Sequence, residues 1–115
     1  MKYTKMLCWV NQKEKTELIA ISKGQYQIIF ADNYEDFKAK ISVDSYLAIS
    51  LSIAHENLRE LKILLQSFPN QKFRIIFDRK YFSNEVIETF TEADRRCNHF
   101  SVIELINDFA EVERT

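Results

Sequence analysis

Four short apolar runs alternate with longer amphipathic stretches along most of the chain. The runs cover residues 6–10, 27–31, 46–51 and 73–77. A strand in a sheet that helices cover on both faces has a continuous apolar sequence, without polar alternation. Strands that alternate with helix-length segments indicate βαβ units and a parallel sheet. The pattern therefore predicts an α/β fold, in which binding chemistry lies just beyond the carboxyl ends of the strands.

The first segment between runs has two interpretations. Leu18 and Ile21 at helical spacing predict a helix over residues 14–23 that ends at Gly24. Residues 18–21 could equally form a strand that turns back into residues 26–31 as a hairpin. The hairpin would make the fold α+β, so both alternatives stay open at this point.

The next two helices have clear ends. Asn33 is expected to begin a helix whose first turn carries Glu35 and Asp36. An apolar stripe over residues 56–68 predicts a core-facing helix that stops before Pro69.

Two further helices are expected in the last third of the chain. Ser83 or Asn84 can cap a fourth helix, with Cys97 at the end of its apolar side. A very short fifth strand is expected around residues 96–98. Ser101 and Glu104 match the capping box, in which the two side chains satisfy each other's backbone N–H groups, and they predict the start of a final helix.

The composition indicates one domain with balanced charge. The chain has 115 residues, 46% of them hydrophobic, and a formal net charge of -1, so we expect a single domain spanning residues 1–115. Sixteen basic and seventeen acidic residues provide no bulk attraction to nucleic acid or an anionic membrane. No apolar stretch approaches the ~20 residues that cross a bilayer. Two cysteines far apart in sequence are typical of the reducing cytoplasm.

Scarce glycine and dispersed metal ligands narrow the chemistry. The chain has one glycine, Gly24, and one proline, and phosphate-binding loops need several glycines for close backbone approach. Cys97, His99 and His55 do not reach the four ligands of a structural zinc site. We therefore expect no metal, no cofactor and no catalytic residues.

Two local strings resemble the receiver domain of two-component response regulators. Residues 24–33 (GQYQIIFADN) are similar to the stretch in which a receiver's first helix ends, its second strand runs and its second helix begins. Residues 98–101 (NHFS), followed by Glu104, are similar to the Lys-Pro-Phe stretch before a receiver's final helix. The resemblance implies a flavodoxin-like three-layer sandwich with a five-stranded parallel sheet, and a role in signal transduction.

The resemblance also implies a phosphorylation pocket, and this chain departs from it. Receivers hold Mg²⁺ with acids after the first strand and accept phosphoryl on an aspartate after the third. The paired acids fall here on Asn11 and Gln12, which lack the anionic oxygens that Mg²⁺ prefers. The acceptor falls on Ser50, or on Ser52 if the register slips, and a serine without a base is a poor nucleophile.

The remaining two pocket positions differ as well. Asp78 stands where receivers have a serine or threonine, and Asn98 stands where they have a lysine. Amides and hydroxyls in place of confined carboxylates remove both their repulsion and the need for a cation. The pattern is that of a degenerate, pseudo-receiver pocket held in one state. The alternative, equally open, is that these residues are polar strand ends facing water.

The expected function is phosphorylation-independent binding of another protein, without enzymatic activity. Receivers that pair commonly use the surface of the fourth helix, fifth strand and final helix. Opposite charges on that surface suit a symmetric homodimer. The residues concerned are Arg79, Lys80, Arg95, Arg96, Glu111 and Glu113.

Two other functions remain open on sequence alone. One is a regulatory domain that is still phosphorylated at a non-standard residue, Asp78 or Ser50. The other is a small α/β enzyme of unfamiliar type, which the lack of a catalytic cluster at the strand ends disfavours.

Overall fold

A parallel sheet forms the centre of the molecule. The computed structural model describes residues 5–76 and 97–114. The strands in these ranges are β1 (Lys5–Trp9), β2 (Ile28–Phe30), β3 (Ser45–Ser50), β4 (Phe73–Ile76) and β5 (Cys97–Phe100). They pair in parallel throughout, in the order β2-β1-β3-β4-β5. The predicted α/β fold with a parallel sheet is confirmed.

Helices follow the strands. Their ranges in the described residues are α1 (Gln12–Ser22), α2 (Tyr34–Lys40), α3 (Leu51–Glu56), α4 (Leu58–Ser67) and α5 (Val102–Arg114). Side-chain caps begin α1, α2 and α5. At α2 the side chain of Asn33 accepts a hydrogen bond of 2.8 Å from the backbone N–H of Asp36. Before α5 the backbone N–H of Ser101 donates to Glu104 Oε1 and that of Glu104 donates to Ser101 Oγ. Both predicted helix starts are confirmed.

Two apolar clusters cover the two faces of the sheet. Alternate strand residues such as Leu7 and Ile49 pack with α2, α3 and α4 on one face. Their neighbours Cys8 and Ala48 face the other side and pack with α1 and α5. Because β1, β2, β3 and β4 each contribute side chains to both clusters, their sequences are largely apolar, which is why the four runs could be recognised.

The hairpin alternative for residues 18–31 is wrong. Residues 12–22 form α1, and β2 pairs with β1 in parallel instead of returning as a hairpin partner. The helix ends with two residues in the left-handed region, Lys23 at φ 52° and Gly24 at φ 74°. Glycine adopts this conformation without a steric cost, as the predicted helix stop requires.

Two predicted boundaries need correction. The helix expected over residues 56–68 is α4, Leu58–Ser67, and a separate short helix that the pattern did not predict, α3, precedes it. The backbone departs from helical geometry between the two at Asn57, φ -129° and ψ 38°. Cys97 begins β5 instead of closing the apolar side of a helix. The fifth strand accordingly begins one residue later and ends two residues later than the predicted range of 96–98.

Several predictions concern residues outside the described ranges. They are the fourth helix capped by Ser83 or Asn84, the pocket residue Asp78, and the interface residues Arg79, Lys80, Arg95 and Arg96. These remain predictions. Among the helices that the structure describes, none is both long enough and apolar enough to cross a membrane.

Candidate functional site

The chain reverses its direction of winding between β1 and β3. After β1 it enters α1, whose Leu18 packs on one face of the sheet, and after β3 it enters α3, whose Leu51 packs on the other. The strands themselves are neighbours in the sheet. In doubly wound sheets such a switch point opens a crevice at the carboxyl edge, and ligands bind there. The residues that follow β1 and β3 are therefore the candidate site.

Asn11 occupies the β1 side of this crevice and caps α1. Its Oδ1 accepts a hydrogen bond of 2.9 Å from the backbone N–H of Glu14, and its own backbone N–H donates to Glu14 Oε1 over 3.1 Å. This is a complete capping box, which satisfies two backbone donors reciprocally. The bond to Oδ1 also fixes the orientation of the amide, so that Nδ2 points away from α1 as a donor.

That donor reaches across the crevice to the β3 side. Asn11 Nδ2 donates to Ser52 Oγ over 3.1 Å, and Ser52 Oγ lies 2.7 Å from Ser50 Oγ. Ser50 has no exposed surface and Ser52 is 6% exposed. Ser50 is the N-cap residue of α3, yet its hydroxyl makes no capping bond. We call the three residues Asn11, Ser50 and Ser52 the amide–hydroxyl bridge; it joins α1, the end of β3 and α3.

The bridge is uncharged, and the carboxylate of the nearby Glu14 is already hydrogen-bonded. Glu14 is 6% exposed and its carboxylate accepts the backbone N–H of Asn11. On the sheet below, burial raises the pKa of the Cys8 thiol well above its ordinary value, with a smaller contribution from the charge of Glu14. A thiol in this state is an inert part of the core, because the thiolate is the reactive form.

The other predicted pocket positions lie apart from the bridge or outside the described residues. Gln12 is exposed on α1, where its Nε2 donates to Thr16 Oγ1 over 3.4 Å. Asn98 is the register partner of Arg74 in β4, whereas Ser50 is level with Ile76 and Phe100. Asn98 thus lies two residues, about 7 Å along the strand, from the carboxyl edge. Asp78 lies outside the described residues.

The next candidate ligand, His55, lies on the surface. His55 is exposed near the end of α3. Among the described residues, no group of three or more His, Cys, Asp or Glu is arranged to hold a metal ion. Trp9 is 6% exposed and contacts the rings of Tyr34 and Phe37, so its indole belongs to the core.

A second buried polar cluster, which sequence reasoning missed, lies toward the amino ends of the strands. Arg74 in β4 is 3% exposed, and its guanidinium carbon lies 3.8 Å from the ring centroid of Tyr46 in β3. The Tyr46 hydroxyl donates a hydrogen bond to Asp108 Oδ2 in α5, and Arg74 Nε lies 3.9 Å from the same oxygen. Arg74 Nη1 also donates to the backbone oxygen of Lys72.

This cluster has a structural consequence and a sequence signal. It ties α5 to two strands through a charge that is stacked on an aromatic face and faces a carboxylate. A charged residue within an apolar run that is buried on both faces is the signal. Arg74 stands in such a run, Phe73–Ile76, and an unpaired buried charge would be costly there.

No protein-family model, no curated protein and no solved structure matches this chain.

Proposed function

We propose that this chain is a receiver-like domain of the flavodoxin-like fold, held in one state, that works by binding another protein without phosphotransfer. The strand order supports the fold, because β2-β1-β3-β4-β5 is the order of flavodoxin-like doubly wound sheets. The two strings that resemble receivers support the family. The cytoplasmic location expected from the cysteines belongs to the same proposal.

The amide–hydroxyl bridge is the observation that carries this proposal. It spans the switch point between β1 and β3, where a ligand or a phosphoryl group would bind. Each of its hydrogen bonds joins neutral groups, so that the crevice closes without a cation. A ligand entering there would have to break these bonds and leave buried hydroxyls unsatisfied, at about 1–3 kcal/mol for each group.

The chemistry of the bridge does not favour Mg²⁺ or phosphotransfer. Mg²⁺ is held in proteins chiefly by carboxylates, and the bridge offers an amide and two hydroxyls. Glu14 already accepts a backbone N–H. Ser50 has no exposed surface and is hydrogen-bonded to Ser52, so a protein kinase could reach its hydroxyl only after local opening of the fold.

The test is an amide NMR spectrum recorded with and without Mg²⁺ plus beryllofluoride, a mimic of a phosphorylated aspartate. We expect no shifts at Asn11, Ser50 or Ser52, since the bridge offers no carboxylate acceptor. Localised shifts there would overturn the proposal and indicate a working switch.

A phosphodonor experiment separates the proposal from phosphorylation at a non-standard residue. The wild-type chain is incubated with labelled acetyl phosphate and, separately, with cell extract and labelled ATP. We expect no label in the folded protein. If the wild type takes up label and either Asp78→Ala or Ser50→Ala does not, the result would instead support a regulatory domain that is phosphorylated at that residue.

A further inference from the structure

The outer face of α1 is basic around an exposed isoleucine. Ile19 is 54% exposed. The other exposed residues of α1 and its C-cap lie around it, and the charged ones among them are lysines. We call this set the basic stripe: Gln12, Lys13, Thr16, Ile19, Ala20 and Lys23.

The outer face of α5 is the acidic counterpart. Ile103 is 60% exposed. Over residues 102–111 the charged residues that are exposed are glutamates, at the first turn and about two turns later. We call this set the acidic stripe: Ile103, Glu104, Asn107 and Glu111.

The two stripes lie side by side. Both helices follow parallel strands, pack on the same face of the sheet and contact each other. They therefore run in the same direction, with Lys13 and Glu104 near their starts and Lys23 and Glu111 nearer their ends. Within the described ranges, no ion pair joins the two stripes.

We propose that a second copy of this chain docks on this face, with the basic stripe of each protomer against the acidic stripe of its partner. A two-fold axis parallel to the helices brings α1 over the partner's α5 and α5 over the partner's α1. The two lysines of one protomer then face the two glutamates of its partner at similar heights along the helices. The two-fold axis makes this contact twice in the dimer. Such a self-complementary patch is what a symmetric interface requires.

Charge complementarity selects this arrangement over its competitor. A two-fold axis perpendicular to the helices would place α1 on the partner's α1 and bring lysines together. It would also place glutamates against glutamates on the two copies of α5. Like charges in contact are unfavourable, so the parallel arrangement is preferred. The isoleucines supply the apolar area that charged rims alone lack.

The size of the face sets the strength of the dimer. Helices of this length cover about 16 Å along their axes and about 20 Å across two neighbours. Such an area is at or below the low end of specific protein interfaces. The dimer is therefore weak, and it weakens further as salt screens the charged pairs.

The proposal goes beyond the proposed function, because it names the partner and uses a face that excludes the amide–hydroxyl bridge. Neither depends on the other: beryllofluoride shifts would overturn the proposal that the domain is held in one state, and would leave the dimer intact. The surface also differs from the one expected from sequence, with Glu111 as their common residue.

The test is sedimentation equilibrium of the full chain with a charge swap. Lys23→Glu alone and Glu111→Lys alone should each raise the dissociation constant about tenfold, since each repeats a repulsive contact twice in the homodimer. An equimolar mixture of the two variants should associate as well as wild type. In the mixed dimer, one contact keeps the native Lys23 and Glu111. In the other contact, the two substitutions exchange the positive and the negative charge, so that the contact remains attractive. Few other modes of association predict this rescue.

Matched controls lie on the opposite layer of the molecule. Lys62→Glu is the same charge change at an exposed position of α4, and Ile63→Ser matches Ile19→Ser on a second exposed isoleucine. The control variants should leave the dissociation constant unchanged, and Ile19→Ser should raise it. A wild-type chain that is monomeric at several hundred micromolar in low salt would overturn the proposal. Dimerisation unaffected by either stripe variant would do the same.

Discussion

The side-chain amide of Asn11 lies 3.1 Å from the hydroxyl of Ser52, 41 positions further along the chain, and donates a hydrogen bond to it. This contact connects the first turn of α1 with the first turn of α3. Asn33 makes the same kind of N-cap on α2, with a bond of 2.8 Å to the backbone N–H of Asp36. Comparing Asn11 with Asn33 therefore isolates the contribution of the hydrogen bond that Asn11 makes to Ser52 in another helix.

Asn11→Ala should destabilise the protein more than Asn33→Ala. Loss of an N-cap side chain costs about 1 kcal/mol. Asn11→Ala also removes the donor to Ser52, so its cost should be about 2 kcal/mol. Urea unfolding followed by circular dichroism measures both free energies of unfolding.

A double-mutant cycle isolates the bond between α1 and α3. Asn11→Ala and Ser52→Ala should be non-additive by about 0.5 kcal/mol or more, because they remove the same hydrogen bond. Asn33→Ala and Ser52→Ala should be additive. Additivity in both cycles would show that the bridge contributes nothing to the closed state.

Carboxylates at the bridge should make the protein dependent on Mg²⁺. Asn11→Asp with Ser50→Asp would confine two new charges beside Glu14 and destabilise the metal-free protein by about 2 kcal/mol or more. Mg²⁺ at ten times its dissociation constant should then restore about 1.4 kcal/mol. Thermal unfolding with and without Mg²⁺ measures this gain.

The control pair places the same residues at exposed positions. Asn33→Asp with Ser67→Asp should gain nothing from Mg²⁺, because the two side chains sit on different helices in solvent. Equal responses of the two pairs, or none from the bridge variant, would contradict the view that neutral groups replace a cation site here.

The charge of Asp108 should stabilise the buried guanidinium of Arg74. Asp108→Asn keeps the shape and the hydrogen bond with Tyr46 but removes the facing charge, at a cost of about 1–3 kcal/mol. Arg74→Met combined with Asp108→Asn should cost less than the two single changes together. Urea unfolding gives the three free energies.

The half-buried surface pair of Lys40 and Asp36 provides the comparison. Their atoms lie 3.0 Å apart on the surface of α2, and Lys40→Met should cost less than about 0.5 kcal/mol. If Arg74→Met lowered the free energy of unfolding by as little as Lys40→Met, the buried cluster would hold α5 through its aromatic contacts alone.

Stability should fall in acid through two carboxylates. The backbone N–H of Asp32, followed by Lys40, lowers the pKa of Asp36, and the backbone N–H of Ser101 lowers the pKa of Glu104. A carboxyl with a lower pKa in the folded state adds stability above its unfolded pKa, and loses it as pH falls through its folded pKa. The loss should occur below about pH 4.

Neutral variants identify the carboxylates responsible. Asp36→Asn and Glu104→Gln should be less stable than wild type at neutral pH and should converge with it near pH 2. Thermal unfolding at several pH values tests this. If the variant that combines Asp36→Asn with Glu104→Gln still loses stability in acid as steeply as wild type, other groups cause that loss.

Cys8 should not react in the folded protein. Its thiol is fully buried and its pKa is raised by that burial, so little thiolate exists at neutral pH. Iodoacetamide labelling followed by peptide mapping should modify Cys8 only in denaturant. Rapid labelling of Cys8 under native conditions would mean that β1 is accessible to solvent.

The elements were predictable where their signals are local. Capping boxes, the left-handed stop at Gly24 and apolar runs involve residues that are near neighbours in sequence. The same rule would have found the box of Asn11 and Glu14, which has the spacing of Ser101 and Glu104. The short helix α3, Leu51–Glu56, was missed because it directly follows β3 and is too short to show a helical repeat of apolar residues.

The candidate site was predictable only in part. The positions of Asn11 and Ser50 follow from the ends of two apolar runs, because parallel strands bring their carboxyl ends to one edge. Their connection through Ser52 depends on the turn of α3, which no local pattern encodes. The same holds for Asn98, whose distance from the edge is set by the register between β4 and β5.

The sequence by itself determined the α/β class and the identity of most helix and strand segments, because periodicity and capping are properties of neighbouring residues. Tertiary structure alone decided which polar groups meet: Asn11 with Ser52 across the switch point, and Arg74 with Tyr46 and Asp108 under α5. It also decided that the basic and acidic stripes share one face. These relationships join residues that are tens of positions apart, and they arise only when the sheet fixes its strand order and register.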